Sequence, residues 1–336
     1  MAKGTTLFEK PRLCHDWKEL QSFYEDLSNI NVSTSGGPRW VFRGDKVDQT
    51  LCVQPGELTK DAAQLMQEQE TKLRKGLKNY LPDRHKGKAE ELERHLVREF
   101  QRHLHLHSTL VPARADILEW LALMQHYEGP TRLLDCTYSF YTACYFALAR
   151  MNPAKEVGIV WAVDAKWIEK CESKWLENDP ARSVHMDKWA RQKKRHLSYM
   201  DYNGIKRNAL VWSLVYRADC IVLNLTPFRK NDRLTIQQGT FLVPGSLGYD
   251  FCENLQGSWK ICQETSAPPV QCTIIRFDGK DQYDNRNKIL CELRAMNLSQ
   301  EVLFPGLQGF SESLWHRLAY PWFSGDGEFM DQEFEP

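Results

Sequence analysis

The segment from Gln125 to Thr137 carries a high density of polar side chains around a Gly-Pro pair. An imidazole and a carboxylate can each transfer protons, and a guanidinium can bind phosphate. The segment therefore predicts a catalytic or binding site, whose candidate side chains are Gln125, His126, Thr131, Arg132 and Asp135. A structural alternative explains two of them: Asp135 could cap the next helix, and Arg132 could pair with Asp135.

A second candidate is the apolar run Trp40-Val41-Phe42, which ends in Arg43 and Gly44. An arginine at the end of a buried strand needs a partner, and its planar fork fits a phosphate or a carboxylate. The glycine after it allows another group to approach the backbone closely. Taken alone, the pattern is equally typical of an exposed strand end that makes a surface ion pair.

The third segment runs from Arg233 to Val243, where Gln237, Gln238 and Gly239 open an expected strand. Two amides next to a glycine are also typical of a plain turn. The segment becomes informative only through its combination with the other two.

Apolar periodicity predicts the elements that hold these segments. An amphipathic helix is expected from about Lys88 to Leu106 and a second helix from Ile117 to Tyr127. Short β-rich runs predict strands at Trp40–Phe42, Gly158–Val163, Cys220–Leu223, Thr240–Val243 and Cys272–Phe277. The predicted fold class is α+β, with a helical N-terminal half.

Composition places the chain among globular proteins. Of its 336 residues, 42% are apolar and 26% charged, which fits two domains or one large domain and excludes a disordered chain. Apolar runs are much shorter than the roughly 18 residues of a membrane span, and the first residues lack the order of a secretion signal, so no membrane partner is expected. Ten cysteines scattered singly predict reduced thiols and a cytoplasmic or nuclear location.

Local charge is more informative than the net charge, which is zero. Basic residues are in excess at positions 72–88 and again at 187–196, where Tyr199 and Tyr202 follow. Positive charge mixed with aromatic rings is typical of surfaces for single-stranded nucleic acid, and a solvated helix face is the alternative. The nucleic-acid candidates are Lys188, Trp189, Arg191, Lys193, Lys194 and Arg195.

A metal site is not expected. His103 and His107 would share one face of a helix, with His105 between them, but no third ligand lies at a useful spacing. A zinc site needs three or four protein ligands.

In this order and at this spacing, the three segments resemble the FRG domain family, named for a Phe-Arg-Gly motif that is Phe42-Arg43-Gly44 here. The family's Gln-His-x-x-x-Pro-Thr-Arg-Leu-Leu-Asp run is similar to residues 125–135, and its Gln-Gln-Gly-x-Phe strand is similar to residues 237–241. Its C-terminal Leu-Phe-Pro element is similar to residues 303–309. The resemblance implies an N-terminal extension (1–36), an FRG domain (37–318) and an acidic tail (319–336).

The family in turn resembles ADP-ribosyltransferases, which implies a split β-sheet core, NAD as co-substrate and no metal. Those enzymes have an aromatic-Arg strand, a polar residue on the next strand and a Glu near a later strand. Phe42-Arg43-Gly44 matches the first position, Thr131 or Thr137 could be the second, and the third holds Gln237 and Gln238 in place of Glu. The implied cofactor-binding residues are Phe42, Arg43, Gly44, Gln125, Thr131 and Arg132.

The implied donor site follows from transfer of ADP-ribose through a cation-like transition state. Arg43 would bind a phosphate or the neighbouring ribose, with Arg132 as a second clamp. Gln238 or Gln237 would bond the ribose hydroxyl, and Asp135 would supply the missing negative charge. We expect that replacing Arg43 leaves the fold intact, because a ligand-binding arginine at a strand end does not hold the core.

The favoured acceptor is an exocyclic amine of a nucleic-acid base, in single-stranded DNA and with the adenine amino group preferred. Such an amine is a weak nucleophile, so it gains from a general base, for which Asp135 and His126 are the candidates. The alternatives are a non-catalytic nucleotide-binding or sensing module, a protein-directed ADP-ribosyltransferase and an NAD hydrolase.

Overall fold

The computed structural model describes residues 6–30, 39–49, 53–54, 57–58, 61–80, 88–109, 111–114, 116–178, 211 and 218–319. The nucleic-acid candidates at positions 188–195 and most of the acidic tail therefore lie outside the described residues, and those predictions stay predictions.

The described residues form twelve α-helices and nine strands. The helices are α1 (Trp17–Asn29), α2 (Ala62–Met66), α3 (Lys72–Tyr80), α4 (Ala89–His103), α5 (Ile117–His126), α6 (Phe140–Leu148), α7 (Ala165–Glu177), α8 (Asp232–Ile236), α9 (Phe251–Ile261), α10 (Gln282–Ala295), α11 (Gln300–Leu303) and α12 (Leu307–Ala319). The strands are β1 (Arg12–Cys14), β2 (Trp40–Asp48), β3 (Val53–Gln54), β4 (Glu57–Leu58), β5 (Leu134–Thr137), β6 (Glu156–Asp164), β7 (Val222–Leu225), β8 (Gly239–Pro244) and β9 (Val270–Ile275).

These elements confirm the α+β class and the two long predicted helices. The predicted strands at 158–163 and 240–243 lie within β6 and β8, whereas the strand predicted at 220–223 begins two residues later as β7. Helices also run through the second half of the described chain, where α8 to α12 lie. The first half also contains four strands of the large sheet, β1, β2, β5 and β6, so helices dominate it less than the sequence predicts.

Seven strands form one sheet in the order β1-β9-β6-β2-β5-β8-β7. β2 pairs with β6 along its whole length, from Trp40 opposite Asp164 to Asp48 opposite Glu156. Against β5, in contrast, β2 makes a single residue pair within the described chain, Phe42 with Thr137. The sheet can thus be described as a first half-sheet (β1, β9, β6, β2) and a second half-sheet (β5, β8, β7) that are joined at this pair.

The described residues before β2 are part of this fold. β1 pairs in parallel with β9, with Leu13 opposite Ile274. The ring of Tyr24, on α1, stacks on Phe140 at a centroid distance of 4.9 Å. The segment before the boundary expected at residues 36 and 37 thus supplies an edge strand and a core helix, and the expected domain boundaries stay a prediction.

Helices cover both faces of the sheet. α1 and α6 pack on the face of the first half-sheet that carries Phe42, whose ring lies 5.5 Å from that of Phe140. α7 and α9 pack on the opposite face, together with Val41. α4 and α5 pack on the second half-sheet around Phe241. No helix among the described residues is both long and apolar enough to cross a membrane.

Gly44 is the point where β2 and α6 come closest. A Cβ atom at Gly44 would lie 1.8 Å from the backbone oxygen of Ala143. The close approach predicted from this glycine is therefore made by a helix of the protein itself, and its assignment as a cofactor-binding residue stays a prediction.

Replacing Gly44 with alanine should destabilise the protein by about 3 kcal/mol or more, because the clash is with backbone and no rotamer can relieve it. The matched control is Gly76→Ala in α3, where a Cβ would meet nothing within 4 Å. Alanine there should stabilise the protein by about 0.5–1 kcal/mol. Urea denaturation of both variants measures the two effects, and equal stabilities would show that the packing of β2 on α6 is wrong.

Candidate functional site

Arg43 lies at the junction of the two half-sheets, one residue beyond the Phe42–Thr137 pair. Its Nη1 donates to the backbone oxygen of Asp135 at 2.8 Å, so the guanidinium spans from β2 to β5. Its Nε donates to Oε1 of Gln69 at 2.8 Å, and its Nη2 to Oδ2 of Asp45 at 3.1 Å. Three groups from three parts of the chain thus fix the orientation of the guanidinium.

The side chain of Arg43 remains 20% exposed. Burial lowers the pKa of Arg43, but Asp45, Cys136 and Asp135 together raise it by more, so the guanidinium stays charged. These bonds use three of its five N–H groups. The arrangement can accept an anion as a further partner.

The same bonds correct the expectation that Arg43 is dispensable for folding. Gln69 is only 2% exposed, so loss of the guanidinium would leave its amide oxygen buried without this donor. The carbonyl of Asp135 would lose its donor from β2 as well. Arg43 is therefore both a candidate ligand-binding group and a connection between the half-sheets.

A chain of side-chain hydrogen bonds orients Asp135. Thr131 donates through Oγ1 to Oε1 of Gln125 at 2.5 Å, and Gln125 donates through Nε2 to Oδ2 of Asp135 at 2.8 Å. Thr131 and Gln125 are buried, whereas Asp135 is exposed. Of these three candidates, Asp135 is the one that offers a polar group to a ligand, and the other two hold it in place. It does not cap the next helix, since the N-cap of α6 is Ser139.

Arg132 has a different environment from the one expected. Its side chain is fully buried and forms an ion pair with Glu93 of α4, with Nε and Nη2 lying 2.7 and 2.5 Å from Oε2 of Glu93. Its Nη1 also donates to the carbonyl of Gly245 at 2.9 Å. The pairing with Asp135 is wrong, and a role as phosphate clamp does not fit a guanidinium without exposed surface. Arg132 instead joins α4 to the second half-sheet.

The structure separates the two glutamines that the sequence left as alternatives. Gln237 is buried, and its Nε2 donates to the carbonyl of Leu303 at 2.8 Å, while its own carbonyl accepts from Oγ1 of Thr137. Gln238 is exposed and has a φ of 49°, and its carbonyl accepts from the amide of Tyr138 at 3.0 Å. A left-handed backbone at a non-glycine residue costs roughly 1 kcal/mol or more and is often found at functional sites.

The remaining part of the Phe-Arg-Gly motif is Phe42, which is buried beneath α6 and presents no side-chain surface to a ligand. Cys136, between Asp135 and Thr137, is also buried, and burial raises the pKa of its thiol to about 12. That thiol is neutral near pH 7 and is a poor nucleophile.

His126 is the last residue of α5 and lines a cavity of about 890 Å³. Asp45, the partner of Arg43, lines the same cavity, which therefore adjoins the Arg43 hydrogen-bond network. Burial and the charge of Arg233 lower the pKa of His126, and Glu128 opposes them. The imidazole is neutral at pH 7 and could accept a proton.

Among the described residues, no group of three or more His, Cys, Asp or Glu side chains is arranged to hold a metal ion. His103 ends α4, and its Nδ1 lies 2.8 Å from the carbonyl of Glu99.

Together these features define a mixed α and β domain whose sheet is divided beside a fixed arginine. The model of the FRG domain family matches residues 38–156, a range that contains both Phe42–Gly44 and Gln125–Asp135. This match supports the FRG family for that part of the chain. Neither the curated proteins nor the solved structures include a match to the chain.

Proposed function

We propose that the protein is an NAD-dependent ADP-ribosyltransferase whose acceptor is a nucleic-acid base. The observation that carries the proposal is the fixed, charged and partly exposed guanidinium of Arg43 at the division of the sheet, bonded to the backbone of Asp135. The oriented arginine can bind the phosphate of a sugar-phosphate donor, and the exposed carboxylate next to it can stabilise positive charge on the sugar.

NAD supplies an activated ADP-ribose, whose bond to nicotinamide is broken in the transfer. Arg43 would bind a phosphate or the adjacent ribose through the N–H groups that its internal bonds do not use. The carboxylate of Asp135 would stabilise the positive charge that develops on the ribose. Gln238 would hydrogen-bond a ribose hydroxyl, and its restricted backbone reduces the entropy lost on binding.

The acceptor amine needs a general base, and we assign this role to the imidazole of His126, whose lowered pKa favours its basic form. We favour a base in single-stranded DNA, with adenine preferred, because basic and aromatic residues occur together at positions 188–202. An amide at position 238 is weaker than a carboxylate in this chemistry, which favours a nucleotide-sensing module as the second candidate.

Mass spectrometry of three incubations tests the proposal: protein with NAD, protein with NAD and a single-stranded oligonucleotide, and NAD alone. An ADP-ribose adduct on the oligonucleotide is the expected result. Release of nicotinamide without the oligonucleotide would support an NAD hydrolase, and an adduct on protein would support a protein acceptor. Binding of NAD without turnover would support the sensing module.

The pH dependence of transfer tests the role of His126. Because the pKa of His126 is lowered from 6.5, more than half of the imidazole is in the basic form at pH 6.5. The acid limb of the profile of kcat/KM should therefore lie below pH 6.5, and His126→Asn should remove that limb and lower kcat about a hundredfold. An unchanged profile in the variant would exclude His126 as the base.

A further inference from the structure

The cavity of about 890 Å³ next to Asp45 is within the usual range of small-molecule sites, roughly 300–1,000 Å³. Its walls come from the end of α5, from α6, from the start of α8 and from the segment between α11 and α12. Resting on the proposed function, we propose that this cavity binds a phosphorylated nucleotide, with Arg233 as the phosphate-binding residue.

Arg233 is held in a defined position and has no ion-pair partner among the residues that the structure describes. Its guanidinium lies over the ring of Phe304, 4.5 Å from the centroid. Phe304 itself packs edge-on against Phe146 of α6, at a centroid distance of 6.0 Å. A guanidinium stacked on a fixed ring loses little side-chain entropy when it binds an anion.

The other charges of the cavity wall are largely neutralised by one another. Lys46 pairs with Glu156, and Arg150 pairs with Glu312. Among the acidic wall residues that the structure describes, Asp45 pairs with Arg43 and Glu128 pairs with Lys72, and the exposed Asp232 has no ion pair there. Within the described chain, Arg233 is thus the wall cation that has no carboxylate partner.

The neighbours of Arg233 suit a nucleotide better than a simple anion. His126 is close enough for the charge of Arg233 to lower its pKa, so a neutral ring lies beside the guanidinium. Tyr127 also lines the cavity and is 65% exposed, which offers an aromatic face for a base. The volume leaves room for a nucleoside attached to the phosphate.

Isothermal titration calorimetry with AMP and with adenosine tests the inference. A charge-assisted hydrogen bond should make AMP bind about tenfold more tightly than adenosine. Arg233→Gln should remove this difference, whereas Lys230→Gln, which deletes an exposed charge three residues earlier, should preserve it. The melting temperatures of both variants should equal that of the native protein. If Arg233→Gln folds poorly, Arg233→Lys replaces it in the test: it keeps the charge and should keep part of the preference for AMP.

The nucleotide can be the donor or part of the acceptor strand, and competition separates the two. Displacement of AMP by ADP-ribose identifies the donor, and displacement by a short single-stranded oligonucleotide identifies the acceptor. The inference would be overturned if the native protein and Arg233→Gln preferred AMP over adenosine by the same factor, or if AMP did not bind. An Arg233-dependent preference for AMP in a protein that does not consume NAD would support the cavity and refute the transferase.

Discussion

Arg43→Lys is expected to lower kcat/KM for NAD about a hundredfold. Lysine keeps the positive charge but not the planar fork, so it cannot reach Gln69, Asp45 and the carbonyl of Asp135 while also holding a ligand. The loss should appear in initial rates of nicotinamide release and of transfer. Alanine at this position is less informative, because it would also weaken the junction between the half-sheets.

The matched control is Arg39→Lys. Arg39 precedes β2, is ion-paired with Asp164 and has a side chain that is 21% exposed, against 20% for Arg43. The two substitutions therefore remove the same groups from similarly buried positions, and only the one at Arg43 should impair turnover. Equal activity of the two variants would show that Arg43 has no part in the reaction.

Arg132→Met is expected to lower the free energy of unfolding by about 3–5 kcal/mol. The substitution leaves the carboxylate of Glu93, whose side chain is 1% exposed, without a counter-charge. It also removes the donor from the carbonyl of Gly245. Urea denaturation followed by circular dichroism measures the loss.

The double variant Glu93→Leu with Arg132→Met should recover most of that stability, since it removes the isolated charge. Glu99→Gln is the surface control, because the pair of Glu99 with Arg102 on the same helix is exposed and should contribute less than about 1 kcal/mol. A stable Arg132→Met variant with weakened NAD binding would instead restore the role of phosphate clamp to Arg132.

Local patterns in the sequence were enough to predict most elements around the site. The apolar residues spaced four apart before Leu106 lie on one face of α4. The β-rich runs correspond to strands that are buried on both faces, such as β6. These signals depend on neighbours a few residues away. They predicted that the strand ends at Arg43, which is wrong because β2 continues to Asp48. They also placed Gln237 and Gln238 at the opening of β8, which begins at Gly239.

The partners of the polar residues could not be predicted, because each is set by packing between distant segments. Gln69 lies 26 residues from Arg43, and Glu93 lies 39 residues from Arg132, with no pattern that connects either pair. Of the partners of Arg43, Asp45 is the one that the sequence could predict, because residues two apart on a strand share a face. Gly44 was recognised as a close approach, but its neighbour, α6, follows almost a hundred residues later.

The Phe-Arg-Gly motif shows why three consecutive residues can have separate roles. Phe42 fills the core beneath α6, Arg43 spans the divided sheet, and Gly44 lets α6 approach β2. Side chains alternate between the faces of a strand, so these neighbours experience different environments. The motif therefore predicts one ligand site for three residues that have separate structural roles.

The structure of the protein in complex with ADP-ribose tests the central proposal most directly. The account predicts a phosphate or ribose oxygen about 3 Å from the guanidinium of Arg43, with the carboxylate of Asp135 facing the ribose. ADP-ribose bound elsewhere, with Arg43 contacting only Gln69, Asp45 and Asp135, would contradict it.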